Sequence, residues 1–153
     1  MSEVFNSLQD TKIKIALEAT KLLIQQKLIF SKSHEVGIVL MGTEETDNEL
    51  NATFGGYTNI TTVSKMDQPS LDTLRFCNEV TTTNSRADLL DALVLGMHLI
   101  NEKCGTKKYN RRIFILTDGN STCDNDDQLP DIVDQMNSQA IKLNVIAIGF
   151  GED

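Results

Sequence analysis

Three short apolar runs decide most of what this chain can become. They are Glu35-Val36-Gly37-Ile38-Val39-Leu40-Met41-Gly42, Ile113-Phe114-Ile115-Leu116 and Asn144-Val145-Ile146-Ala147-Ile148-Gly149-Phe150. Each is rich in β-branched residues and carries almost no alternation with polar ones. A strand with one wet face alternates; a continuous apolar run suits a strand covered on both faces. The segments between these runs have the longer period of helices. From about Leu8 to Phe30, apolar residues between Ile13 and Ile29 recur at three and four, with Lys12, Lys14, Glu18, Lys21 and Gln25 on the other side.

The remaining elements follow from the same rules. Gly42 to Gly56 is polar and reads as a loop. Tyr57 to Ser64 is β-branched but more polar, which suits a half-exposed strand. Pro69-Ser70 opens a short helix to about Val80. A Thr/Asn/Ser run, Thr81 to Ser85, precedes a nearly all-apolar helix from Ala87 to Lys103. Lys107 to Arg112 is basic and reads as a solvated turn, and a helix is expected from about Gln128 to Ile141. The order α-β-β-α-α-β-α-β predicts an α/β domain, with a mostly parallel sheet between two helical layers, in the three-layer Rossmann-like manner.

Such a sheet normally begins with a strand, and here a helix comes first. The chain also stops as a strand ends. Both ends therefore look cut, and residues 1–153 are expected to form a single but incomplete domain whose first strand is missing.

Composition removes several function classes. With 14 basic and 22 acidic residues the net charge is -8, which does not suit a clamp on nucleic-acid phosphates. No stretch approaches the about 20 apolar residues of a membrane-spanning helix, and Met1 to Phe5 lacks the pattern of a secretory signal. Cys77, Cys104 and Cys123 are far apart and odd in number, which predicts free thiols rather than a disulfide framework or zinc site.

Ligands of open α/β sheets bind beyond the carboxyl ends of the strands. Three polar segments fall there: Gly42 to Asn48, Thr81 to Asp88, and Thr117-Asp118-Gly119-Asn120-Ser121. Their hydroxyls and carboxylates suit a hard cation such as Mg²⁺, but the same residues are the ordinary material of turns. No P-loop, GxGxxG or GxSxG occurs. His98 falls within the apolar helix and is expected to be packed in the core; His34 has no evident acidic or hydroxyl partner. Asp124, Asp126, Asp127 and Asp131 could mimic a calcium loop, but without its sixth-position Gly and closing Glu they read as solvated. An α/β hydrolase-type activity built on Asp118 would lack a base and a cofactor loop, so no enzyme is expected.

IFILTDG at Ile113 to Gly119, preceded by the apolar helix, resembles the central strand and third metal motif of the von Willebrand factor A-type fold. GTEETDNEL at Gly42 to Leu50, YTNIT at Tyr57 to Thr61 and ADLLDAL at Ala87 to Leu93, in that order, resemble the N-terminal domain of the large (eighty-kilodalton) subunit of Ku. The resemblance covers almost the whole chain. It implies a nuclear, non-enzymatic interaction domain acting in double-strand break repair by non-homologous end joining and in telomere maintenance. It also implies a heterodimer with the small Ku subunit, DNA ends held through a barrel absent from these residues, and no membrane.

Matching the family's motifs residue by residue nominates a peptide-binding site. Leu50 and Tyr57 would form its ridge, with Asp88, Val94 and Met97 of the apolar helix beneath, for short basic peptides of end-joining factors. The plainer reading is that Leu50 and Tyr57 pack a long loop onto the sheet. The DxSxS metal motif of the A-type fold does not occur, so Ser85, Asp118 and Ser121 are expected to be remnants of a degenerate site without a metal, and no cofactor is expected. The alternative is a generic A-type domain that binds its ligand through Mg²⁺.

Overall fold

A computed structural model describes residues 2–30 and 32–149, with side chains described from Thr11 onward. The long amphipathic segment forms α1, Ser2–Phe30. The first apolar run is β1, Val36–Met41, and β2, Ile60–Asp67, pairs with it antiparallel. The other two runs are β3, Arg111–Thr117, and β4, Ile141–Ala147, a parallel pair in continuous register from Arg111 opposite Ile141 to Thr117 opposite Ala147. Arg111 and Arg112, expected in a turn, begin β3 instead. Phe150, expected in the last strand, lies outside the described residues.

The apolar helix is α4, Leu89–Cys104. It is the spine of the domain, because both strand pairs pack on it. On one side Leu95, fully buried, meets Leu50, Ile60 and Ala87, with Val39, Met41 and Val94 against them. On the other side Leu90, Leu93 and Met97 meet Ile132, Met136 and Ile141, with Ile113 and Ile115. Ile132 and Met136 belong to α5, Leu129–Ser138, which a short 3₁₀ turn at Asp126–Gln128 leads into. Ile141 opens β4 rather than closing that helix.

Since Val39 and Met41 face α4, strand alternation turns Ile38 and Leu40 to the opposite face. That side carries α1 and α3, Leu71–Phe76, which touch each other. The capping box between Ser70 and Thr73 fixes the start of α3, and the helix ends four residues short of Val80. The layers are thus helix, sheet, helix.

The sheet is in two pieces. β1–β2 and β3–β4 are separate pairs, and a cavity of about 1210 Å³ lies between β1 and β3. All six residues of β1 are therefore partly exposed rather than buried on both faces. β4 departs furthest from expectation: Leu143 and Val145 are 40% and 60% exposed. Its outer side has no strand among the described residues, and the ten-residue α5 covers only its start.

The Gly42–Gly56 segment is not all loop. It contains a helix, α2, Glu49–Phe54. Asn48 starts it, accepting from the Asn51 amide at 2.8 Å. The same side chain donates to the carbonyls of Tyr57 and Ile60 at 3.0 and 2.9 Å, so a buried polar group is satisfied on both ends. Tyr57 and Asn59 take left-handed backbone angles (φ 49° and 57°) to turn from α2 into β2.

Candidate docking site and relatives

Of the nominated residues, Leu50, Tyr57, Asp88 and Val94 come together around the first turns of α4, while Met97 lies on its α5 side. Leu50 is 7% exposed and Met97 3%, so both lie in the core, Leu50 in the α2–β2 cluster and Met97 in the α5 cluster. Leu50 is therefore not a ridge: α2 points it down onto Ile60 and Leu95, where it pins the loop. Val94 touches both clusters and is partly exposed. Tyr57 packs on the first cluster and keeps part of its ring at the surface.

Asp88 is occupied by the fold. One carboxylate oxygen accepts from the amides of Leu90 at 2.8 Å and Asp91 at 3.2 Å, capping α4. The other accepts from the amides of Asp124 at 2.7 Å and Asn125 at 3.3 Å. Thr122 adds backbone bonds to Ala87 and Leu89, so the loop after β3 is clamped to the start of the spine. Asp88 shapes the site rather than offering itself to a ligand.

The acid that faces outward is Asp91, which the motif matching passed over. Burial raises its pKa from the carboxylate range, and the charge of Asp88 beside it adds to the rise; Asn125 opposes both, donating from 3.4 Å. Burial also raises the Tyr57 phenol, with the negative charge of Asp91 contributing. Tyr57, Asp91 and Val94 thus bring together a half-buried aromatic, an acid with no ion pair among the described residues, and an aliphatic. Its periodicity was visible in the sequence: Asp91 and Val94 are three apart on one helix.

Ser85, Asp118 and Ser121 lie elsewhere, among the residues that line the central cavity. Asp118 accepts from the Asn120 amide at 3.0 Å and its side chain at 2.7 Å, and the Lys12 ammonium is 3.9 Å away. An ammonium against the carboxylate is a poor neighbour for a cation.

His98 is not a core residue. It lies on the flank of α4, half-exposed, with Nε2 3.1 Å from Glu49 Oε2. Glu49 also pairs closely with Lys65 of β2, and its pKa is lowered, first by that Lys65 hydrogen bond, with burial opposing and His98 assisting. Glu49, His98 and Glu102 bring one ligand-type atom each within 4.8 Å of one another. The Lys65 ammonium already supplies the positive charge, so the cluster ties α2, β2 and α4 together. His34 has a partner as well: Lys27 Nζ lies 2.8 Å from its Nδ1. The thiols of Cys77, Cys104 and Cys123 are free, as expected.

Helices on both faces of two strand pairs, one antiparallel and one parallel, with β3 leading through its Thr117-Asp118-Gly119 turn to α5, define an α/β domain consistent with the von Willebrand factor A type. The chain belongs to the Ku70/Ku80 N-terminal alpha/beta domain family, which it matches over residues 1–152. It is 36% identical over 143 residues to X-ray repair cross-complementing protein 5 of Dictyostelium discoideum, across 94% of this chain and 18% of that protein. It is 32% identical over 130 residues to the ATP-dependent DNA helicase 2 subunit KU80 of Oryza sativa subsp. japonica, across 81% and 19%. The protein of that name from Arabidopsis thaliana is 33% identical over 140 residues, across 86% and 20%. The chain spans about a fifth of the length of these relatives.

Proposed function

We propose that this chain is the docking domain of a Ku large subunit, acting without enzymatic activity in double-strand break repair by non-homologous end joining and in telomere maintenance, in the nucleus. Its partners are the small Ku subunit and end-joining factors that carry short basic peptides. DNA ends are held by another part of the polypeptide. The match to the family over residues 1–152 carries this reading. The helicase in the names of the plant relatives belongs to those whole proteins; this chain has no P-loop to bind a nucleotide's phosphates.

The docking surface is the patch of Tyr57, Asp91 and Val94, with Leu50 packed beneath it, Asp88 holding its geometry and Met97 buried on the α5 side of α4. Such a patch takes a peptide by an apolar or aromatic contact at Tyr57 and Val94 and a basic side chain at Asp91. Pairing with a cation relieves the disfavoured charge of Asp91, so a basic ligand gains what an acidic one loses. The net charge of -8 steers basic segments in.

The test is fluorescence anisotropy with a labelled basic peptide carrying one aromatic residue. Asp91→Lys should weaken binding by tenfold or more, on the order of a lost charge-assisted contact, while Asp72→Lys on α3, in the opposite helical layer, changes it little. Equal losses in both variants would reduce the interaction to bulk charge and rule out a site at Asp91.

A further inference from the structure

Away from the docking patch, three side chains on the flank of α4 carry the donors of a metal site. Glu49, His98 and Glu102 each bring one ligand atom within 4.8 Å of the others. His98 and Glu102 are four apart on α4, so one face of a rigid helix presents both. Glu49 comes from another element. It is the first residue of α2, and the buried Asn48 holds it there, capping that helix and donating to the Tyr57 and Ile60 carbonyls. Two fixed elements therefore aim the three donors at one point.

The distances suit a small ion. With metal–ligand bonds of about 2.0–2.2 Å, donors around a tetrahedral ion stand roughly 3.3–3.6 Å apart. Glu49 Oε2 and His98 Nε2 are already 3.1 Å apart. Glu102 is exposed, and rotation of its side chain closes the rest of the gap.

We propose that Glu49, His98 and Glu102 bind a divalent transition-metal ion, with Zn²⁺ the best fit and water completing its coordination. The class of ion follows from the donors. One imidazole and two carboxylates suit Zn²⁺, which accepts three protein ligands and a water. Mg²⁺ demands an octahedron of oxygens and Ca²⁺ six to eight of them, and the imidazole serves neither.

Lys65 is the competitor. Its ammonium pairs closely with Glu49, and the charge of Glu102 acts on it as well, so a cation already stands where the acids converge. That cation is a single charge on a flexible stem, 61% exposed, and a surface pair of this kind is held weakly. A divalent ion bonded to three donors displaces it, and the ammonium returns to water. The ion takes the lone pair of His98 Nε2, whose proton passes to Nδ1 or to solvent. Once bound, the ion fastens α2 to α4 by coordination. α2 is the element that lays Leu50 on the core beside Tyr57.

The test is calorimetric titration of the chain with Zn²⁺ alone, in a Cys123→Ser background so that the exposed thiol supplies no ligand. One ion should bind and raise the melting temperature, and Mg²⁺ at the same concentration should do neither. His98→Ala and Glu102→Ala should each weaken binding by about tenfold or more. Neither side chain is buried, so both variants should fold, and circular dichroism checks it. Lys65→Met separates a metal site from a plain ion-pair cluster: it should bind Zn²⁺ more tightly, because the competing ammonium is gone. Absence of saturable binding, or binding unchanged by His98→Ala, would overturn the proposal. So would a Lys65→Met chain that binds no more tightly, because the ammonium and the ion would then not share one place.

Discussion

The two strand pairs rest on one helix, yet they are finished differently. The β1–β2 pair is closed over: α2 and its loop lay Leu50 and Tyr57 across it, and Ile60 and Leu95 are wholly buried. The β3–β4 pair has a similar apolar content but less cover, and Phe114, Leu143 and Val145 remain 41%, 40% and 60% exposed. The difference is not one of propensity, because β4 is as β-branched as β1. What separates them is the helix and loop that one pair has and the other lacks. An apolar run dictates a strand; burial of that strand depends on elements that lie elsewhere in the chain.

The contrast can be broken most sharply in the core. Leu95→Ala in the closed half should cost about 2–5 kcal/mol, read from the midpoint of denaturant unfolding, whereas Val145→Thr in the open half should stay within about 0.5 kcal/mol. Comparable costs would mean that β4 is covered in solution. Next in size, Asp88→Ala strands amide donors at the joint between the halves and should cost about 2–3 kcal/mol, with Asp88→Asn less severe.

Smaller effects come from pH. Glu49 has a lowered pKa in the folded chain, so its contribution is present above its ordinary value of 4.5 and fades as pH falls through the lower folded value. Glu49→Gln should therefore flatten the acid limb of a stability–pH curve. Asp91 has the opposite sign: its raised pKa makes ionisation costly to the fold above that pKa, and the cost is relieved as pH falls. Asp91→Asn should stabilise the chain slightly at neutral pH and lose that advantage below its ordinary 3.8. Smallest of all, added Mg²⁺ should leave the melting temperature unchanged, given Lys12 beside Asp118.

Much of this was legible in the sequence. The three apolar runs gave three strands, and the spacing of Leu89 to Ile100 gave the spine. The helix α2 was not read, because ELNATF is six residues with weak periodicity; its one signal was Asn48 in the capping position before Glu49. The exposure of β4 was hidden because a continuous apolar run says that a strand can be covered on both sides, not that it is. Of the residues nominated by motif, Tyr57 and Val94 lie partly at the surface, Leu50 and Asp88 are buried near them, and Met97 is buried on the α5 side of α4. Asp91 was missed because its effect depends on burial beside Asp88. His98 was misplaced because its neighbours on α4 are apolar, while its partner Glu49 is 49 positions away.

Residue-resolved native-state hydrogen exchange distinguishes a closed half from an open half joined by α4. The β2 and α4 amides should exchange near the rate set by global unfolding, and the β4 amides much faster through local opening. Amides of β4 as slow as those of β2 would contradict that division.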